Sequence, residues 1–131
     1  METSSKVTTE GITVEVTPEF LENESAPDIN KYLWAYRILI ENEGDSWAKL
    51  ISRHWVIINA EGDKEDVKGP GVVGYTPELK PGDTFTYTSF CPLDTPWGTM
   101  EGSYTLIRRD SSEFKAKIGR FYLVSPHAKN I

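Results

Sequence analysis

The stretch Tyr32–Asn42, reading YLWAYRILIEN, constrains the fold more than any other part of this 131-residue chain. Tyr32, Trp34, Tyr36, Ile38 and Ile40 alternate with Leu33, Ala35, Arg37, Leu39 and Glu41. A period of two puts the first set on one side of an extended strand, and that side is apolar throughout. The same alternation recurs in Ile12, Val14 and Val16, and in Phe85 and Tyr87 set against Thr84, Thr86 and Thr88. It returns in Phe114, Ala116 and Ile118 set against Lys115 and Lys117. Between Trp47 and Ala60 both sides carry apolar residues, which predicts a central strand. Trp55 falls in this strand, where immunoglobulin-like sandwiches place a core tryptophan. Residues Lys64 to Lys68 read as a short edge strand, and Met100–Arg109 with Phe114–Val124 as a last hairpin. No ten-residue segment sustains a helical period. The expectation is an all-β, immunoglobulin-like sandwich of about seven antiparallel strands.

The domain is expected over residues 12–125, with a flexible N-terminus at 1–11 and a loose tail at 126–131. A chain of this length buries a core without staples. One cysteine, Cys91, excludes an intersheet disulfide. The polar start METSSKVTTEG lacks the apolar stretch of a signal peptide, so a reduced, cytoplasmic protein without membrane insertion is expected. A net charge of −6 disfavours nucleic acid as the main partner.

The segment Gly69-Pro70-Gly71-Val72-Val73-Gly74 spells GxGxxG. A dinucleotide loop needs a helix after it to aim N–H groups at a pyrophosphate. Here Pro77 and Pro81-Gly82 follow, which leaves no room for one. Two readings remain: glycines that let the chain turn, or a small anion nest of Lys68, Gly69, Gly71 and Gly74 for a phosphate, pyrophosphate or nucleotide. Ser52 and His54 share a side of one strand about 6.6–6.8 Å apart, too far for a nucleophile and its base. His54 and His127 lie far apart in sequence, and no metal-ligand spacing occurs. No catalytic residue, metal or cofactor is assigned, and the chain is expected not to be an enzyme. The strand from Thr84 is expected to end at Ser89, with Phe90 to Gly98 a loop holding Pro92 and Pro96. Tyr75, Phe90 and Trp97 therefore fall outside the alternating strands, as either a partner-binding patch or plugs for the ends of the core.

The runs SRHWVI, VKGPGVVG, LKPGDTFTYTS, LDTPWGTMEGSY and FKAKIGRFYL together resemble the ApaG family from about Ile12 to Ser125. The resemblance implies a fibronectin type III-like sandwich without established enzymatic activity. It also implies a link to cobalt and magnesium efflux or tolerance in bacteria. Eukaryotic relatives carry the domain in F-box proteins and a polymerase-interacting protein, where it binds partners. Tyr75 stands where the family commonly has glutamate, Phe90 where it has glycine, and Gly119 follows Ile118 where a proline is common. The expected function is a non-catalytic protein-binding module, and the alternative is a sensor of a phosphate-containing ligand at the glycine loop.

Overall fold

The computed structural model describes residues 2–128. Among these, nine strands form: β1 (Ser5–Thr9), β2 (Ile12–Phe20), β3 (Tyr32–Asn42), β4 (Ala48–Asn59), β5 (Lys64–Pro70), β6 (Glu78–Leu79), β7 (Thr84–Leu93), β8 (Trp97–Ile107) and β9 (Glu113–Val124). Two antiparallel sheets face each other, one in the order β1-β2-β3-β7 and the other β5-β4-β8-β9, with β6 also paired to β4. This is the expected sandwich, with two strands more than the alternation alone predicts.

The apolar side of β3 is the core side: Trp34, Ile38 and Ile40 are fully buried, as are Ile12, Val14 and Val16 beside them on β2. The opposite sheet contributes Leu50, Trp55, Met100, Tyr104, Leu106, Ile118, Phe121 and Leu123. Each such side chain stabilises the fold by about 1.5–3 kcal/mol relative to exposure. Trp55 meets Tyr36 at 5.4 Å, Phe121 at 5.8 Å and Tyr104 at 6.4 Å between ring centroids. All three are edge-on contacts of the kind that aromatic quadrupoles favour. β4 lies between β5 and β8, the central position its two apolar sides predict.

Three expectations are corrected. The N-terminus is not a frayed lead, because Ser5–Thr9 pair residue by residue with Ile12–Val16 of β2. Glu10 and Gly11, both at positive φ, supply a two-residue hairpin turn. The stretch after Ser89 is not a loop: β7 runs on through Phe90 and Pro92 to Leu93, and β8 begins at Trp97. Pro92 is tolerated because β7 is an edge strand, where a missing N–H on the free side costs nothing. Nor do residues 126–128 hang free. The Ala128 N–H donates to Ser125 O at 3.1 Å, and the His127 ring lies 3.1 Å from Glu22 and packs against Phe20. The rest of the predicted tail, 129–131, lies outside the described residues.

The two flanks of the sandwich differ, and this asymmetry positions the candidate site. On one flank β1 ties to β9: Ser5 Oγ donates to Gly119 O at 2.8 Å, and the Lys117 N–H donates to Thr9 Oγ1 at 3.2 Å. The Tyr122 N–H donates to Thr3 O at 2.9 Å, just before β1. On the other flank the edges are β5 and β7, and each pairs with a strand on one side only. That flank is open.

Candidate functional site: the open seam between β5 and β7

At one end of the seam stands the glycine hairpin. Val72 and Tyr75 exchange two backbone hydrogen bonds, both of 2.8 Å, and the Gly71 N–H donates to Ile51 O at 2.9 Å. Val73 at φ 43° and Gly74 at φ 85° are the two central residues of the turn. Both φ values are positive, as a type I′ turn requires. Buried Val72 anchors the hairpin in the core, while Val73 and Tyr75 project from it, 51% and 63% exposed. The Tyr75 ring reaches across the seam to Phe85 of β7, 6.0 Å between centroids.

Arg53 braces the hairpin from below. Its Nη1 donates to Pro70 O at 2.8 Å and to Gly71 O at 3.0 Å. Gly69 makes room for this, since a Cβ there would stand 2.9 Å from Arg53 Nη2. The anion nest expected of Lys68, Gly69, Gly71 and Gly74 is therefore not assembled. The Gly71, Val72 and Tyr75 N–H groups donate to backbone carbonyls, and Lys68, opposite His54, lies on the other side of β5 from Gly69. The glycines serve the turn. An alanine at Gly71 would bring its Cβ to 2.2 Å from Tyr75 O, whereas at Gly74 nothing lies within 4 Å and only the φ of +85° resists. Gly74→Ala is expected to cost about 1–2 kcal/mol. Gly71→Ala should cost more, as read by urea unfolding; equal costs would contradict the geometry.

Below the hairpin the seam opens into a hollow of about 310 Å³. Trp55 and Tyr36 line it from the core, with Glu65 and Val67 on the β5 side and Phe90 and Cys91 on the β7 side. A second hollow of about 530 Å³ shares Ile57, Glu65 and Pro92 with it and continues past Ile29 and Lys31. Phe90, 58% exposed, alternates with inward-facing Ser89 and Cys91 and stands at the lip of the first hollow; Ile29, 59% exposed, stands at the second. Trp97 does not join them. It opens β8 opposite Val124 of β9, on the other side of its strand from buried Gly98 and Met100.

The thiol and phenols here are neutral packing elements. Burial pushes the Cys91 thiol up to about 12 and raises Tyr36 and Tyr87 above the ordinary phenol range. Tyr87 and Tyr104 hydrogen-bond through their hydroxyls. Labelling of Cys91 in the folded protein at pH 8 is expected to be about 10³-fold slower than in urea, because so little thiolate forms. Comparable rates in the two states would show an open thiol. Elsewhere, His54 Nε2 sits 2.8 Å from Asp66 Oδ1, a structural pairing that holds the Asp66 carboxyl below its usual range. Among the described residues no group of three or more His, Cys, Asp or Glu is placed to hold a metal ion, and no helix is long and apolar enough to cross a membrane.

The sequence profile of the ApaG domain matches residues 22–108. The chain belongs to the ApaG domain family. It is 48% identical over 126 residues to the ApaG protein of Methylobacterium sp. (strain 4-46), covering 96% of this chain and 97% of that protein. It is 45% identical over 126 residues to the ApaG protein of Anaeromyxobacter dehalogenans, covering 96% of this chain and 99% of that protein. Its fold matches the crystal structure of the ApaA protein from Bordetella pertussis with a TM-score of 0.86 and 40% identity, over 97% of this chain and 98% of that one. The ApaG profile ends before β9, yet these full-length matches include it.

Sequence reasoning singled out Tyr75 and Phe90 but left them as either a patch or core plugs; both are exposed. It missed Ile29, Val73 and Arg53. Only Val73 carried a signal: a valine followed by glycine at the tip of a two-residue hairpin is out of place where Asn-Gly is the favoured pair.

Proposed function

We propose that this ApaG domain is a non-catalytic interaction module, and that a partner protein docks an extended segment along the free edge of β7. The observation that carries this reading is the edge itself. Thr84–Leu93 reads TFTYTSFCPL, ten residues without a charge. β5 across the seam carries Lys64, Glu65, Asp66 and Lys68. Charges on an edge strand block unwanted pairing, and an unguarded edge is a template for an added strand. The exposed large apolar side chains of the described residues, Ile29, Val73, Tyr75 and Phe90, all flank this seam.

Val73 adds an independent argument. A β-branched residue at φ 43° is strained, and asparagine or glycine would relieve that strain. Holding an exposed valine there costs stability, which supports a role in contact with a partner. The isolated titratable groups supply no convergent acid, base and nucleophile, in keeping with binding rather than turnover. Under this reading the chain works in the reducing cytoplasm, and any link to cobalt and magnesium tolerance runs through the partner.

Phe90→Lys puts a charge on the edge without touching the core, and Val73→Asn suits the turn better. Both variants are expected to stay folded, with Val73→Asn more stable by about 1 kcal/mol. Both should lose a partner that the native domain retains in a pull-down. Retention of that partner by Phe90→Lys would contradict docking at β7.

A further inference from the structure

The outer face of the five-stranded sheet, away from the seam, carries a cationic hollow that no part of the docking argument uses. Strand register places Lys68, His54, Ser103 and Lys117 side by side across β5, β4, β8 and β9. The next row is Pro70, Ser52, Thr105 and Lys115. A shallow hollow of about 460 Å³ lies over these rows, lined by Ser52, His54, Lys68, Ser103, Thr105 and Lys115 among others.

The charge pattern is what sets this surface apart. The chain has 20 Asp and Glu against 14 Lys and Arg, yet these two rows hold three lysines, a histidine and no carboxylate. A solvated sheet face gains from opposite charges placed side by side and loses from like ones. The neighbouring row follows that rule, with Asp66 pairing His54 at 2.8 Å and Lys64 at 3.9 Å, and Glu101 pairing Arg120 at 2.8 Å. Lys68, Lys115 and Lys117 take part in none of the ion pairs among the described residues. Asp66 also fixes the His54 ring through Nε2, and Ser52, Ser103 and Thr105 offer hydroxyl donors between the lysines.

We propose that this hollow binds a soluble diphosphate-bearing ligand, held between Lys68 on one side and Lys115 and Lys117 on the other. Three strand spacings separate the backbones of β5 and β9, about 14 Å. Flexible lysine stems lean inward from both sides, so the two ends of the hollow suit two linked anionic groups better than one. The hydroxyls and His54 lie between them, where bridging oxygens would sit. The hollow borders the base of the glycine hairpin, since Arg53, Gly69 and Pro70 also line it, but Val73 and Gly74 at the hairpin tip do not.

The test is a titration of the ¹⁵N-labelled full chain with inorganic pyrophosphate at fixed ionic strength, followed by amide shifts. The expected result is saturable shifts at His54, Lys68, Ser103 and Thr105. Binding should weaken at least tenfold in the Lys68→Gln, Lys115→Gln double variant and stay unchanged in Lys64→Gln, which removes a charge from the same strand outside the hollow. Shifts that do not saturate, an equal loss in Lys64→Gln, or shifts centred on Val73 and Gly74 would each overturn the proposal.

Discussion

Trp55→Ala is expected to destabilise the domain by about 3–5 kcal/mol, the cost of truncating a large buried aromatic. Trp55 is 3% exposed and closes a cluster with Tyr36, Tyr104 and Phe121 that joins the two sheets. Its removal deletes the inner wall of the seam hollow rather than leaving a sealed void. Water can enter such a space, which places the loss toward the lower end of that range. Urea unfolding measures it directly. A midpoint corresponding to a loss under about 1 kcal/mol would show that the sheets are held together without this cluster.

Gly102→Ala is expected to cost about 3 kcal/mol, although it adds a single carbon. The new Cβ would lie 2.0 Å from His54 O and 3.2 Å from Trp55 Cα, both backbone atoms of the neighbouring strand. No side chain can rotate away to relieve the clash, so β4 and β8 must separate in the middle of the sheet. Overpacking of this kind costs about 1–3 kcal/mol where side chains can adjust, and here they cannot. The β4–β8 register runs without a break through this point, and the nearby irregularity lies on the other side of β8, where Gly119 and Arg120 of β9 stand against Glu101 alone. Gly62→Ala meets nothing within 4 Å but sits at φ +86°, so it reports backbone strain alone, about 1–2 kcal/mol, and should cost less. A Gly102→Ala domain that unfolds at the native urea midpoint would show that the two strands are not held this close.

How much of this was legible in the sequence depends on what each element's neighbours dictate. β3 could be read residue by residue, because one side of it is buried along its whole length and alternation reports burial. β1 could not. SKVTT has one large apolar residue, and its place depends on pairing with β2 and on hydrogen bonds to β9, neither of which leaves a hydrophobic period. Its local signal lay instead in Glu10-Gly11, a two-residue turn between strand-like Thr8-Thr9 and Ile12-Thr13. β7 was cut short at Ser89 because Pro92 reads as a breaker, although proline at a free edge breaks nothing.

The candidate site was legible only in part, for a related reason. Exposed aromatics can be suspected wherever they fall outside an alternating pattern, as Tyr75 and Phe90 do. The seam that joins them exists because β5 and β7 become edges on the same flank, and strand order is a property of the whole fold. Ile29 comes from a short 3-10 turn between β2 and β3, and no local pattern ties it to residues sixty positions away. Trp97 shows the converse, since a Pro-Trp-Gly setting that reads as a loop is the start of a paired strand.

Amide hydrogen exchange on the domain, free and bound to a peptide selected against it from a displayed random library, tests docking at the β7 edge most directly. On binding, alternate amides of Thr84–Leu93, those facing away from β3, should become protected, together with those of the Val72–Tyr75 hairpin. Amides of β5 and of the outer face of the five-stranded sheet should exchange as before. Protection confined to that outer face, or a bound peptide that leaves β7 exchanging at its free rate, would contradict the account.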